Sequence, residues 1–411
     1  MIPLTPVIVA VVKILLMLGG IMTAAAYFVL LERRVAAWVQ DRRGPNRVGI
    51  PLTKIRMFGL GQPLADGVKM ILKEEYTPGH VDARLFVLAP LVIMTAALSA
   101  YAVIPVGGSL PPIPMLGLYE PIPLTVAPEL DVAMIYLFSL SSIAVYGVIL
   151  GGWASNNKYS FLGGLRSSAQ MIAYELPLGV ALLAVVLASG SMRLNDVIGV
   201  QASEVWFALA QPLGFLVFVV AAFAEAGRLP FDLPEAEQEL VGGYHTEYSG
   251  MKLVLYLTAE FIHMITAAFL IVIMFLGGWH LPWLTGDAST EITWGLAILR
   301  AIVLLTKVFG VIFFFMLVRW SWPRFRFDQL MTLAWKIMLP LGVLNLLAVA
   351  ILTELRHPSN WGERLSIGSV CLVGWLVLLA AWVLVAWAAP LVTDNRARTD
   401  LEVGDIDSQL G

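Results

Sequence analysis

Nine stretches of this chain are apolar over about 20 residues each, the length that carries a helix across the hydrocarbon core of a bilayer. They run over 8–31, 85–104, 132–152, 171–190, 206–224, 252–279, 296–318, 333–353 and 366–389. The fourth is the least apolar, and the sixth is long enough to cross at a tilt. Composition supports the reading. Charged residues make up 13% of the chain, against roughly 25% in a soluble domain. The chain is therefore expected to be an all-α integral membrane protein. It should have about nine transmembrane helices plus an amphipathic helix lying at the membrane surface, with no separate soluble domain. No fixed-period repeat is visible.

The distribution of basic residues predicts which side each loop faces. Of 26 Lys and Arg, 20 fall in 32–84, 153–169, 225–252, 319–336 and the C-terminal tail. Arg193, Arg300, Arg356 and Arg364 fall on the other side, and Lys13 and Lys307 lie inside spans. The positive-inside rule puts the richer side in the cytoplasm. The N-terminus is then outside, the C-terminus inside, and the proline-rich loop 105–131 external, with extended segments. Met1-Ile-Pro-Leu-Thr-Pro lacks the basic start and cleavage motif of a signal peptide, so it is read as leading into the first span. The single cysteine, Cys371, excludes an internal disulfide and any cysteine-held iron–sulfur or zinc site on this chain.

The inner loops carry the polar chemistry. Glu32-Arg33-Arg34 follows the first span. Arg33 and Arg34 read either as a stop-transfer cluster or as part of that chemistry, whereas the turn Gly44-Pro45-Asn46, flanked by Arg42, Arg43 and Arg47, suggests a rigid basic bend that docks a partner or an acidic surface. In 62–75, Asp66, Lys69 and Lys73 recur on one helical face, with Leu64, Val68, Ile71 and Leu72 on the other. That is an interfacial helix, serving as a surface anchor or as the wall of a ligand entrance. Glu175 and Glu260 lie within spans. Such acids are functional candidates, or else buried groups satisfied by a neighbouring helix.

Between the fifth and sixth spans lies an acidic island, 224–248. It holds Glu225, Asp232, Glu235, Glu237, Glu239 and Glu247 against one arginine, Arg228. Asp232, Pro234 and Glu235 fit a capped helix start, and Gly242-Gly243 its end. Capping leaves Glu237, Glu239 and Glu247 unexplained. Clustered carboxyls titrate as a group and can pass protons. His80, His245, His263, His280 and His357 are scattered; His245 is a loop histidine or a proton partner. No nucleotide-binding or hydrolase motif is present, and nothing points to nucleic acid.

In order along 32–336, five blocks resemble the H-type membrane subunit (mitochondrial subunit 1) of proton-pumping NADH:quinone oxidoreductase, respiratory complex I. They are Glu32-Arg-Arg through Gly49; Gln62-Pro-x-Ala-Asp-Gly through Glu74; Gly152-Trp-Ala-Ser-Asn-Asn-Lys-Tyr through Glu175; Ala224-Glu-x-x-Arg-x-Pro-Phe-Asp-Leu through Glu247-Tyr; and Pro323-Arg-Phe-Arg-Phe-Asp-Gln-Leu. The resemblance implies that 1–365 is the quinone-channel membrane domain, entered near the first span, the amphipathic helix and the sixth span. Residues 366–411 are an additional transmembrane helix and polar tail.

It also implies a proton path through Asp66, Glu74, Glu175, Glu225, Glu235, Glu237, Glu239, Glu247 and Glu260. Its coupling core would run Glu225–Glu247–Glu260–Glu175. Glu32, Arg33, Arg42, Arg43, Arg228 and Arg324 would belong to the channel or the arm junction. Quinone is the implied substrate, with FMN and iron–sulfur clusters on partner subunits. The implied partners are the hydrophilic quinone module, antiporter-like membrane subunits and lipid. The implied location is the bacterial cell membrane rather than the mitochondrial inner membrane. The stretch 50–58 is longer than the family pattern. Homologous chains of hydrogenases and F420-type dehydrogenases share the fold, and a stand-alone transporter is the alternative of a different class.

Overall fold

The computed structural model describes residues 4–49, 58–114, 118–228, 230–232, 241–286, 292–356 and 367–392. Among them, eight helices are apolar and long enough to cross a membrane. In chain order the helices are α1 (Leu4–Val39), α2 (Gln62–Leu72), α3 (Ala83–Ser99), α4 (Ala133–Ala154) and α5 (Lys158–Ser189). They continue as α6 (Leu194–Ser203), α7 (Pro212–Glu225), α8 (Gly250–Phe275), α9 (Trp294–Ser321), α10 (Phe327–Arg356) and α11 (Ile367–Val392). The protein is thus a multi-pass, all-α membrane protein. In the loop 105–131 a short antiparallel pair, Ser109–Leu110 with Ile122–Pro123, supplies the extended segments.

The fifth expected span, 206–224, is not one continuous helix. It breaks at Gln211, between a short helical turn (Phe207–Ala210) and α7. Proline has no N–H and cannot continue a preceding helix, so Pro212 starts a new one. With 14 residues, α7 reaches only roughly 21 Å, short of a core of roughly 30 Å. Non-helical backbone at that depth is tolerated where protein covers it. Here Gly374 of α11 packs on the break, where a Cβ would lie 3.2 Å from the Pro212 ring. Asn345 of α10 donates to Gln211 Oε1 at 3.4 Å.

Four other boundaries move for related reasons. The polar stretch 152–166, expected as a loop, is mostly helix, and only Ser155–Asn157 separates α4 from α5. Asn157 Oδ1 accepts from the Tyr159 N–H at 3.0 Å and caps α5. The polarity of that stretch belongs to the interior, since Ser160, Ser167, Ser168 and Gln170 are all buried. Gly164 and Gly152 let α5 and α4 approach closely, and a Cβ on Gly163 would lie 2.7 Å from the backbone of Gly243. At the other end of the sequence, α1 has 36 residues, roughly 54 Å at helical rise. It therefore outruns the membrane core and carries Glu32, Arg33 and Arg34 on helix rather than loop. The loop after α9 is only 322–326. Finally, α2 ends at Leu72, so Lys73 is its extended C-cap rather than part of its polar face.

The helices are not equally buried. In α8, 78% of the most apolar window is buried, against 6% in α1. α8 runs through the middle of the bundle and α1 along its outer edge. α5 packs on α4, α7 and α10.

The polar segments assigned to one side of the membrane converge on one another. Tyr76 N donates to Ser249 Oγ at 3.3 Å, Asn157 Nδ2 to Glu247 at 2.6 Å, and Phe325 N to the Pro230 carbonyl at 3.2 Å. At the opposite end Arg356 holds Glu204 through two hydrogen bonds. There Lys307 Nζ donates to the carbonyls of Leu276, Gly278 and His280, at 2.6–3.1 Å, capping the end of α8.

Candidate functional site

The outrunning of the membrane by α1 brings Glu32 against the acidic island. Arg228 Nη1 lies 3.3 Å from Glu32 Oε2, and Arg319 of α9 pairs with Oε1 of the same carboxylate. The Arg228 guanidinium also lies over the Phe261 ring of α8, 4.2 Å from its centroid. Side-chain exposures are 11% for Glu32, 7% for Arg228 and 18% for Arg319. The pairing is therefore largely shielded from water and from salt. It ties α1, α9 and the island into one unit. Arg324 donates to the backbone carbonyl of Asp232, which is itself buried.

A second group of acids lies deeper. Glu225 ends α7 and accepts a short hydrogen bond from Ser141; Glu175 on α5 accepts one from Ser142. The two hydroxyls are consecutive residues of α4, so one turn of that helix holds two carboxyl groups. Glu260 on α8 accepts from Tyr244 Oη at 2.7 Å. Gln170 donates to the carbonyls of Ala224 and Phe231, at 2.8 and 2.7 Å, and fixes the chain on either side of Arg228.

Two small cavities lie among Gln170, Glu225 and Glu260, while Glu175 borders neither. One, of about 40 Å³, is bounded by Gln170, Glu225, Asp232, Tyr244, Glu260 and His263. The other, also about 40 Å³, is bounded by Ser141, Glu225, His263 and Thr266 among apolar side chains. A cavity holds a water once it offers roughly 10–15 Å³ of such space and has polar partners. Each of these has room for a few.

The remaining sequence-predicted residues fall in three places. Asp66 on α2 pairs with Arg33 at 2.9 Å and accepts from Gln62 at 2.9 Å, which fastens the amphipathic helix to α1. Arg42 bonds Gln40, while Arg43 and Glu74 are exposed. Glu247 is held by Asn157 and lies outside the lining of both cavities. Glu235, Glu237 and Glu239 lie outside the described residues, as do Pro234, most of the 50–58 stretch and the tail beyond 392. Next to Glu247, Tyr248 stacks on Phe86 with ring centroids 4.0 Å apart, and burial pushes its phenol up to about 12. It stays neutral at any physiological pH.

Ser141, Ser142, Gln170, Tyr244 and the placement of His263 were not anticipated from sequence. One signal was available: Glu260 and His263 stand at i, i+3 and so share a helix face. A serine pair inside an apolar span is ordinarily satisfied by its own helix backbone, which gives no hint of a carboxyl partner.

Chemically, the two acid groups differ. Glu32 faces two cations. Glu225 and Glu175 rest on neutral hydroxyls among the described residues, with no cation to oppose a change of charge.

Fold and site together define a polytopic helical membrane protein with buried carboxyl groups, the kind of interior found in ion- and proton-handling assemblies. The family described as NADH dehydrogenase matches residues 12–350. A relative from Geobacter metallireducens, named as an H-type subunit of NADH-quinone oxidoreductase, is 45% identical over 84% of this chain and 96% of its own length. One from Thermus thermophilus, named NADH-quinone oxidoreductase subunit 8, is 45% identical over 92% of this chain and 95% of its own. The H-type subunit from Leptospira biflexa is 44% identical over 83% of this chain and 94% of its own. The chain belongs to the NADH dehydrogenase family, among the H-type membrane subunits of NADH-quinone oxidoreductase. Helix α11 lies beyond the residues that the family matches.

Proposed function

We propose that this subunit forms the membrane entrance for quinone and couples quinone reduction to proton movement in the rest of the complex. The observation that carries the reading is the shared cavity: Glu225 and Glu260, from separate helices, open onto one space beside Asp232 and the arginine-bound end of the acidic island. Quinone would enter where α2 meets α1 and α8. There Leu64, Ile71 and Leu72 of α2 are exposed and offer an apolar face to lipid and to an isoprenoid tail. Electrons would come from iron–sulfur clusters and FMN on partner subunits of the hydrophilic arm, docked on the island's end of the bundle. In the positive-inside orientation that end is cytoplasmic, in the bacterial cell membrane. A change of charge on the island then passes through Glu260 and Glu225 to Glu175, toward antiporter-like subunits that move the protons. Glu247 would serve the island side, and Glu235, Glu237 and Glu239 the island itself.

Single replacement of Glu235, Glu237, Glu239 and Glu247 by Gln, in the assembled complex in proteoliposomes, tests the reading. At least one variant is expected to lose both NADH-driven quinone reduction and proton uptake by about tenfold or more. Full activity and full pumping in all four would end it.

A further inference from the structure

We propose that His263 is a proton-relay residue between Glu260 and Glu225, on the cavity that the three side chains share. The inference rests on the coupling role proposed above and goes beyond it by naming the group through which the proton crosses. Among the described residues, only Glu225 and His263 border both cavities with side chains that can exchange a proton. On the island side His263 shares its space with Glu260, Tyr244 and Asp232. On the far side it shares space with Ser141 and Thr266, where no titratable side chain other than Glu225 is found among the described lining residues.

The placement follows from the helix. Glu260, His263, Ala267 and Leu270 recur at three- and four-residue steps along α8, so the histidine stands one turn beyond the acid on the same face. Ala267 and Leu270 continue that face into the second cavity. The residue is half-buried, and its Nε2 is shielded from solvent and hydrogen-bonds to no described residue. A buried imidazole nitrogen normally has a partner. His263 lines both cavities, and each has room for a water to partner this nitrogen.

The step balances without any electron transfer. The Glu260 O–H breaks as a water in the first cavity takes its proton, and that water gives a proton to His263 Nε2. The ring is then an imidazolium. It loses a proton to the Glu225 carboxylate, forming a new O–H there, and is neutral again. One proton has moved from Glu260 to Glu225. If it left from the other nitrogen, a ring flip restores the starting tautomer. Neutral Tyr244 and Thr266 hydroxyls orient the path without trapping the charge.

The test uses the assembled complex carrying H263Q or H263N, reconstituted in proteoliposomes, with E225Q beside them. NADH oxidation by an artificial acceptor reports on the hydrophilic arm and is expected to be unchanged. In H263Q and H263N, quinone reduction and proton uptake should fall together by about tenfold or more, and the solvent deuterium isotope effect on the remaining rate should rise. If E225Q pumps normally, the underlying coupling reading is wrong. If E225Q loses pumping while both histidine variants keep it, protons reach Glu225 by another route and the relay alone is refuted. A loss of rate with an unchanged isotope effect, or failure of both variants to assemble, would make His263 a packing residue and overturn the proposal.

Discussion

Glu225→Gln should leave the complex assembled while lowering proton uptake, and quinone reduction with it, by roughly 10²-fold or more. The substitution keeps the shape of the side chain. The amide oxygen can still accept from Ser141, as the carboxyl does, so the packing of α7 on α4 has little reason to change. What disappears is the ability to carry a proton at the junction of the two cavities. Glu225→Asp retains that ability but withdraws the carboxyl by one methylene from Ser141, and should restore part of the rate. Rates of NADH-driven quinone reduction and of acidification inside proteoliposomes, measured on the same preparation, check both. Normal pumping by the Gln variant would show that Glu225 is not on the path.

The second large effect is on assembly. Glu32→Gln removes the carboxylate that faces both Arg228 and Arg319. A buried ion pair contributes little net stability over an apolar replacement. Removing one partner is different, because it strands a desolvated charge at a cost of roughly 3–5 kcal/mol. Here two guanidinium groups would be left facing an uncharged amide. α1 and α9 would lose their tie to the island. The amount of complex extracted intact from the membrane should fall sharply, and thermal inactivation should begin at lower temperature. Arg33→Met is the contrasting control: its pair with Asp66 is half exposed and worth about 0–1 kcal/mol. An equal loss of assembly in the two variants would remove the special role of the Glu32 cluster.

The fold was legible in the sequence wherever hydropathy alone decides the outcome. Apolar length marks a helix, because an unsatisfied backbone group is costly in lipid. Where interior polarity or a backbone break decides, length misleads. The segment 206–224 is apolar throughout, so nothing in its hydropathy reveals that Pro212 ends one helix and starts another. Residues 152–166 err in the opposite direction. Their serines, asparagines and glycines look like loop, yet they serve close helix packing and buried hydrogen bonds.

The site divides in the same way. Glu175, Glu260 and the acids of the island stand out because charge is scarce in such a chain. What holds them does not. Ser141, Ser142 and Tyr244 are common residues whose role comes from long-range contacts, 84 residues apart in the case of Ser141 and Glu225. Glu225 itself reads as the first residue of a loop, but it closes α7 from inside the bundle. The Glu32–Arg228–Arg319 cluster joins three distant segments that only the folded chain brings together.

Infrared difference spectroscopy on the assembled complex, triggered by reduction of bound quinone, reads the charge state of buried carboxyl groups directly. Coupling through the path described above predicts a carboxylic C=O band that appears or shifts on quinone reduction, moves in D2O, and is lost in the Glu225→Gln complex. A spectrum with no carboxyl change on reduction, or one unaltered by the substitution, would contradict it.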